Sequence, residues 1–157
     1  MHRYEARITW SRNGALFSDN RYSRAHEWAF DGGIKVAASA SPQVVRAPYS
    51  IAAAVDPEEA LVASASSCHM LSFLFIAAKH GFVVENYADD ACGVMGKNEQ
   101  GKLLMVRITL RPSVEFAGER KPSPEELQAL HHSAHEECYI ANSLRSEIVV
   151  ASPGERA

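Results

Sequence analysis

The first residues alternate in polarity: Tyr4, Ala6, Ile8 and Trp10 fall on one side of an extended chain and Glu5, Arg7 and Thr9 on the other. This period of two predicts a half-buried strand. Asn13-Gly14 marks a turn. A second strand is expected from Tyr22 to Phe30, with Tyr22, Arg24, His26, Trp28 and Phe30 on one face, ended by Asp31-Gly32-Gly33. From Ile34 to Val55 the chain is rich in Ala, Ser and Pro, which predicts a short strand followed by an irregular connection. Asp56-Pro57-Glu58-Glu59 then reads as a helix start: Asp caps free amides, Pro suits the first turn, and two carboxylates meet the positive end of the helix dipole. The helix is expected to run to about His80, where Gly81 stops it. No Asp, Glu, Lys or Arg occurs between Ala60 and Ala78, a length close to a membrane span. Ser64, Ser66, Ser67, Ser72 and His69 make that segment too polar for a lone helix in lipid. A helix buried on nearly all sides of a soluble protein is the expectation.

Beyond Gly81, strands are expected between Val83 and Met95, a turn over Asn98 to Gly101, and a long strand from Leu103 to Phe116. In that strand Val106, Ile108 and Leu110 should face one way and Arg107, Thr109 and Arg111 the other. Ser123-Pro124-Glu125-Glu126 is a capping box opening a helix with apolar positions Leu127, Leu130, Ala134 and Cys138. Cys138 therefore lies on the inward face, near the helix end. A short stretch Tyr139 to Leu144, a last strand Glu147 to Ala151 and a polar tail complete the chain. This order of elements predicts a single α+β domain over residues 1–157 with a mostly antiparallel sheet.

Composition narrows the possible partners. The chain has 157 residues, and its net charge of -3 comes with no basic run, so nucleic acid is not an expected partner. The N-terminus lacks the apolar stretch of a signal peptide, so a cytoplasmic location is expected. Cys68, Cys92 and Cys138 are odd in number and widely spaced with no C-x-x-C, a pattern of neither a disulfide scaffold nor a structural zinc site. A disulfide in a reducing compartment would be transient and chemical.

Taken alone, Cys68 in mid-helix reads as a small buried apolar residue, because its own helix dipole fades within the first turn. A reactive thiolate there needs a cation from elsewhere. Arg24, on an aromatic strand face, is the candidate; the alternative is an Arg whose stem packs inside while its head reaches solvent. Glu58 is a possible anion for it, or simply a first-turn carboxylate on the dipole. Ten residues separate Glu58 from Cys68, roughly 15 Å along a continuous helix, so either the helix is interrupted or a second subunit contributes. A homodimer with sites at its interface follows as an expectation. His131 and His135, four apart, with Cys138 allow a metal reading, which the lack of a Glu after the first His disfavours. No phosphate loop or serine elbow is present, no cofactor is expected, and Cys92 receives no role.

Asp56-Pro57-Glu58-Glu59 set ten residues before Cys68, together with Ala134-His135-Glu136-Glu137-Cys138, resembles the OsmC/Ohr family of hydroperoxide reductases. Val106 to Pro112, V-R-I-T-L-R-P, extends the likeness, which runs from about Arg3 to Val150. The resemblance implies an OsmC-like fold built as an intertwined homodimer around long helices. It implies that Cys68 attacks a peroxide, becomes a sulfenic acid and is captured by Cys138 as a disulfide. It carries Glu58 over as the carboxylate that orients the activating arginine, matched here by Arg24, with Arg21 and Arg12 as substitutes. It also implies organic hydroperoxide substrates and a dithiol reductant such as a lipoylated protein. His69-Met70 after the cysteine departs from the better characterised branches, and His69 could alter thiol pKa or substrate entry. The alternative function is a non-catalytic dimer of the same fold that binds an apolar small molecule between its subunits.

Overall fold

The computed structural model describes residues 1–151, so the expected polar tail lies outside the described residues. The described chain forms two compact units, Met1–Ala60 and Leu61 onward.

The first unit is a three-stranded antiparallel sheet of β1 (Ala6–Thr9), β2 (His26–Phe30) and β3 (Lys35–Ala38), in that order. Ile8 pairs with Trp28, and Trp28 with Val36. Two expectations are corrected. β1 is exposed along its whole length, so its alternation marks a face that this chain leaves open. The second strand begins at His26, four residues later than its pattern suggested. Local polar bonds take the preceding backbone: Ser23 Oγ accepts from the Ala25 amide at 3.1 Å, and the Arg24 amide donates to the Tyr49 carbonyl at 2.8 Å. Such side-chain and loop bonds compete with a sheet ladder for the same groups.

α1 (Pro57–Lys79) starts and stops as the sequence predicts. Asp56 Oδ1 accepts from the Glu59 amide at 2.8 Å, and Glu59 Oε2 accepts from the Asp56 amide at 3.3 Å. At the far end Gly81, at φ +77°, lets the Gly81 amide reach the Ala78 carbonyl and the Phe82 amide reach that of Ala77, the two bonds of a Schellman stop. The helix is continuous, which removes an interruption as the way to bring Glu58 toward Cys68. It is long and apolar enough by composition to cross a membrane. It buries one stripe, however, not nearly all sides: Ala65, His69, Phe73, Ile76 and Ala77 are buried, while Leu71 and Phe75 are 61% and 65% exposed.

The second unit folds around α1 from Leu61 onward. β4 (Val83–Asp89) pairs antiparallel with β7 (Pro112–Ala117), and β5 (Cys92–Lys97) with β6 (Leu103–Leu110). The expected single strand from Leu103 to Phe116 is thus two strands in two sheets, broken at Arg111. Pro112 has no amide to donate, and the Arg111 amide is taken by Asp89 Oδ1 at 2.6 Å. Asp89 also accepts from Ser66 Oγ at 2.5 Å, tying the bend in the ribbon to α1. A bulge opposite Val94 and Met95 makes Val106 the extra residue, so Met105 is buried with Ile108 and Leu110 while Val106 is only half-buried. β8 (Glu147–Val150) adds parallel to β6, the one parallel pairing of strands among the described residues.

α2 (Pro124–Glu137) opens with the expected capping box: Ser123 Oγ accepts from the Glu126 amide at 3.2 Å, and Glu126 Oε2 from the Ser123 amide at 2.9 Å. Two cores result. Phe73, Ile76, Ala77 and Phe82 pack with Leu130 and Ala134 of α2 against β4 and β7. Ala65 packs with Met105, Ile108 and Leu110, flanked by Ile148 and Val150 of β8. α1 is the element common to both.

Gly93 on β5 packs against Val62 of that helix. A Cβ placed there would overlap Met105 Sδ and stand 2.6 Å from Val62 Cγ2. Gly93→Ala should lower stability by about 1–3 kcal/mol through this overpacking; a urea midpoint equal to that of the unsubstituted protein would show that the helix has room to move away.

Candidate active site

Cys68 and Cys138 come together between α1 and α2. Cys68 lies on α1 between the residues that enter the two cores, and it is half-buried. Cys138 caps the C-terminus of α2 with its amide donating to the His135 carbonyl at 3.3 Å, and it is 1% exposed. Both thiols are free, and Cys68 lies near enough to act on the Cys138 thiol. Burial, and then neighbouring Cys68, push the Cys138 thiol up to about 11, so it stays protonated at neutral pH. Its sulfur also accepts from the Ala141 amide at 3.4 Å, in the 3₁₀ turn Ala141–Ser143 that follows the cap. Two thiols so arranged can exchange a proton, or join as a disulfide if one is oxidised.

The neighbouring rung between the same helices is a pair of imidazoles. His69 Nε2 lies 3.1 Å from His131 Nδ1, the rings stack 5.4 Å apart at 10°, and His131 stacks in turn on Phe73 at 4.4 Å. Burial lowers both histidines to about 4, helped for His69 by His131 and His135 and opposed by Asp89. The pair is neutral at physiological pH. Nothing in the chain's pattern pairs residues 69 and 131, which lie on different helices.

The remaining expected site residues are placed less simply. Arg24 is half-buried beside β2, with its guanidinium 3.9 Å over the Tyr22 ring and donating to the carbonyls of Asn20 and Tyr22 and to Asn20 Oδ1. These acceptors are neutral groups of its own segment. Glu58 is half-buried in the first turn of α1, and among the described residues it forms no ion pair with Arg24. Arg21 donates to Tyr49 Oη at 2.8 Å and Arg12 to the Ala15 carbonyl at 2.6 Å. The metal reading finds no support in the geometry. His131 spends Nδ1 on His69, Cys138 turns to Cys68, and no group of three or more His, Cys, Asp or Glu among the described residues is arranged to hold an ion. Cys92 is exposed, on β5. A groove of about 1070 Å³ runs along α2, lined by Val114, Leu127, Ile148 and Val150 and by Arg111 and His131.

An α+β chain of two helices and mainly antiparallel strands, with a cysteine on each helix, defines a narrow class. The model of the OsmC-like protein family matches residues 51–152, about two thirds of the sequence, and the chain belongs to that family. A structure of an OsmC-like protein of unknown function from Vibrio cholerae is similar over 96% of this chain and 99% of its own, at 53% identity and a TM-score of 0.94. The fold is shared with an organic hydroperoxide resistance protein from Elizabethkingia anophelis, at 17% identity, TM-score 0.70 and coverage of 96% and 93%. It is shared also with OhrB of Bacillus subtilis, at 16% identity, TM-score 0.67 and 97% of each chain. No curated protein matches the sequence.

Two outcomes follow from the site. Alkylation by iodoacetamide near neutral pH should label Cys138 last, well after exposed Cys92; labelling of Cys138 as fast as Cys92, followed by peptide mass spectrometry, would contradict its burial. The unfolded chain protonates its histidines near pH 6.5 but the folded pair resists until about 4, so stability is full above pH 6.5 and falls as pH drops toward 4. Urea midpoints across that range should decline with a proton uptake approaching about two per unfolding event, and a flat profile would mean that the pair is not buried as a neutral unit.

Proposed function

We propose that this protein is a thiol-dependent peroxidase that reduces organic hydroperoxides, with Cys68 as the attacking thiol and Cys138 as its resolving partner. The observation that carries the reading is the proximity of the two thiols, close enough for Cys68 to raise the Cys138 thiol. Their unequal surroundings support the division of labour. Cys68 is the more open of the two, whereas Cys138 is enclosed and held protonated, a poor first nucleophile but a ready partner once Cys68 is oxidised.

In the first step the Cys68 thiolate attacks the terminal peroxide oxygen: an S–O bond forms, the O–O bond breaks, and the alkoxide takes a proton to leave as alcohol. In the second, Cys138 sulfur attacks the sulfur of the sulfenic acid, and hydroxide leaves with the Cys138 proton as water. A dithiol reductant, of the lipoylated-protein kind, returns the disulfide to two thiols. Activation of Cys68 is assigned to Arg24 oriented by Glu58, with Arg21 and Arg12 as substitutes, in a homodimer that acts in the cytoplasm in defence against oxidative stress. Support for the dimer comes from the open side of α1, where Leu71 and Phe75 are more exposed than a finished core would leave them. Arg24 must then exchange the carbonyls it holds in one chain for a charged partner.

A second reading, a non-catalytic dimer that binds an apolar small molecule, draws on the groove along α2, whose Val114, Leu127, Ile148 and Val150 give it an apolar wall.

Stopped-flow mixing of the reduced protein with cumene hydroperoxide separates the two. The peroxidase reading expects peroxide loss that Cys68→Ser abolishes, and a sulfenic acid trapped by dimedone in Cys138→Ser. Arg24→Met should slow the oxidation of Cys68 by about 10²-fold or more through loss of charge stabilisation. Wild-type consumption no faster than that of Cys68→Ser would remove the peroxidase reading, and a ligand co-purifying with the protein would then favour the second.

A further inference from the structure

The His69–His131 contact has a direction. One proton is shared between His69 Nε2 and His131 Nδ1, 3.1 Å apart, and either ring could supply it. If His131 donated, the proton of neutral His69 would sit on Nδ1, a buried atom without a hydrogen-bond partner. A buried donor left unpaired is more costly than a buried lone pair, so His69 Nε2–H donates and His131 Nδ1 accepts. His69 is 1% exposed and His131 is clamped between His69 and Phe73, so neither ring has another place to go.

The position of this bond matters because of its neighbour. Cys68 and His69 are consecutive on α1, while their partners on α2, Cys138 and His131, stand seven residues apart, about 10 Å along a helix. Two consecutive residues of one helix thus face two separated points of the other, and the directed bond at His69–His131 sets how the helices align. The apolar contacts of Leu130 and Ala134 lie alongside but carry no such direction.

We propose that the His69–His131 hydrogen bond is a register pin that holds Cys138 against Cys68, and so sets how readily the two thiols join and part. His69 and His131 are positioning residues in this account, acting through the helix pair and not on substrate. It rests on the reading that Cys68 and Cys138 form a disulfide.

The test is equilibration of the purified protein with glutathione. The pair gives two electrons and two protons to glutathione disulfide, so that one S–S bond forms in the protein as one breaks in the reagent and two glutathione thiols appear. In the unsubstituted protein, Cys68 and Cys138 should pass from thiols to disulfide across a series of glutathione ratios. His131→Phe keeps the stacked ring but deletes the acceptor, and it should lower the equilibrium constant for disulfide formation at least about tenfold, roughly 30 mV. His131→Asn offers a carbonyl oxygen near the place of Nδ1 and should recover most of that loss. Leu130→Ala thins the same helix contact without touching the bond and should keep the original constant. An unchanged constant in a folded His131→Phe protein would overturn the proposal, as would equal losses in all three variants. Failure of the unsubstituted protein to form any disulfide would overturn it together with the peroxidase reading.

Discussion

α1 has to satisfy two cores with one buried stripe. Its Ala65 end packs on the sheet of β5, β6 and β8, and its Phe73 to Ala77 end on β4, β7 and α2. Between these ends the helix meets the bend of the ribbon, where Asp89 accepts from Ser66 and from the Arg111 amide. Position is therefore fixed at both ends and at the middle. Cys68 and His69 occupy the short interval between these ends, where polar side chains of α1 face α2.

The burial that positions Cys138 also makes it inert by itself. A thiol pushed up to about 11 is neither readily oxidised nor readily alkylated at neutral pH. The same low-polarity surroundings keep the histidine pair neutral, so that one hydrogen bond between uncharged rings can exist where an ion pair would demand solvation or further partners. Enclosure between α1 and α2 thus sets the protonation states of Cys138, His69 and His131.

Much of this could be read from the chain. Asp56, Glu59 and Gly81 bound α1, and Ser123 and Glu126 open α2, because capping residues act on their own neighbours and need no tertiary partner. Cys138 on the inward face followed from the spacing of Leu130 and Ala134. Long-range competition hid the rest. The break at Arg111 depends on Asp89, 22 residues earlier, and the swap of Val106 for Met105 depends on a bulge facing β5. The expected run of Arg24 with the aromatic strand gave way to Ser23 and Tyr49, which claim the backbone before β2 begins. The pairing of His69 with His131 spans 62 residues and leaves no local signature at all.

The central claim is that Cys68 and Cys138 are one redox pair. The most direct measurement is a non-reducing peptide map of the reduced protein after a single equivalent of an organic hydroperoxide, with Cys92 blocked beforehand. The account predicts that the peptides carrying Cys68 and Cys138 become joined in proportion to the peroxide added. Recovery of both as free thiols, or of Cys68 joined to anything other than Cys138, would contradict it.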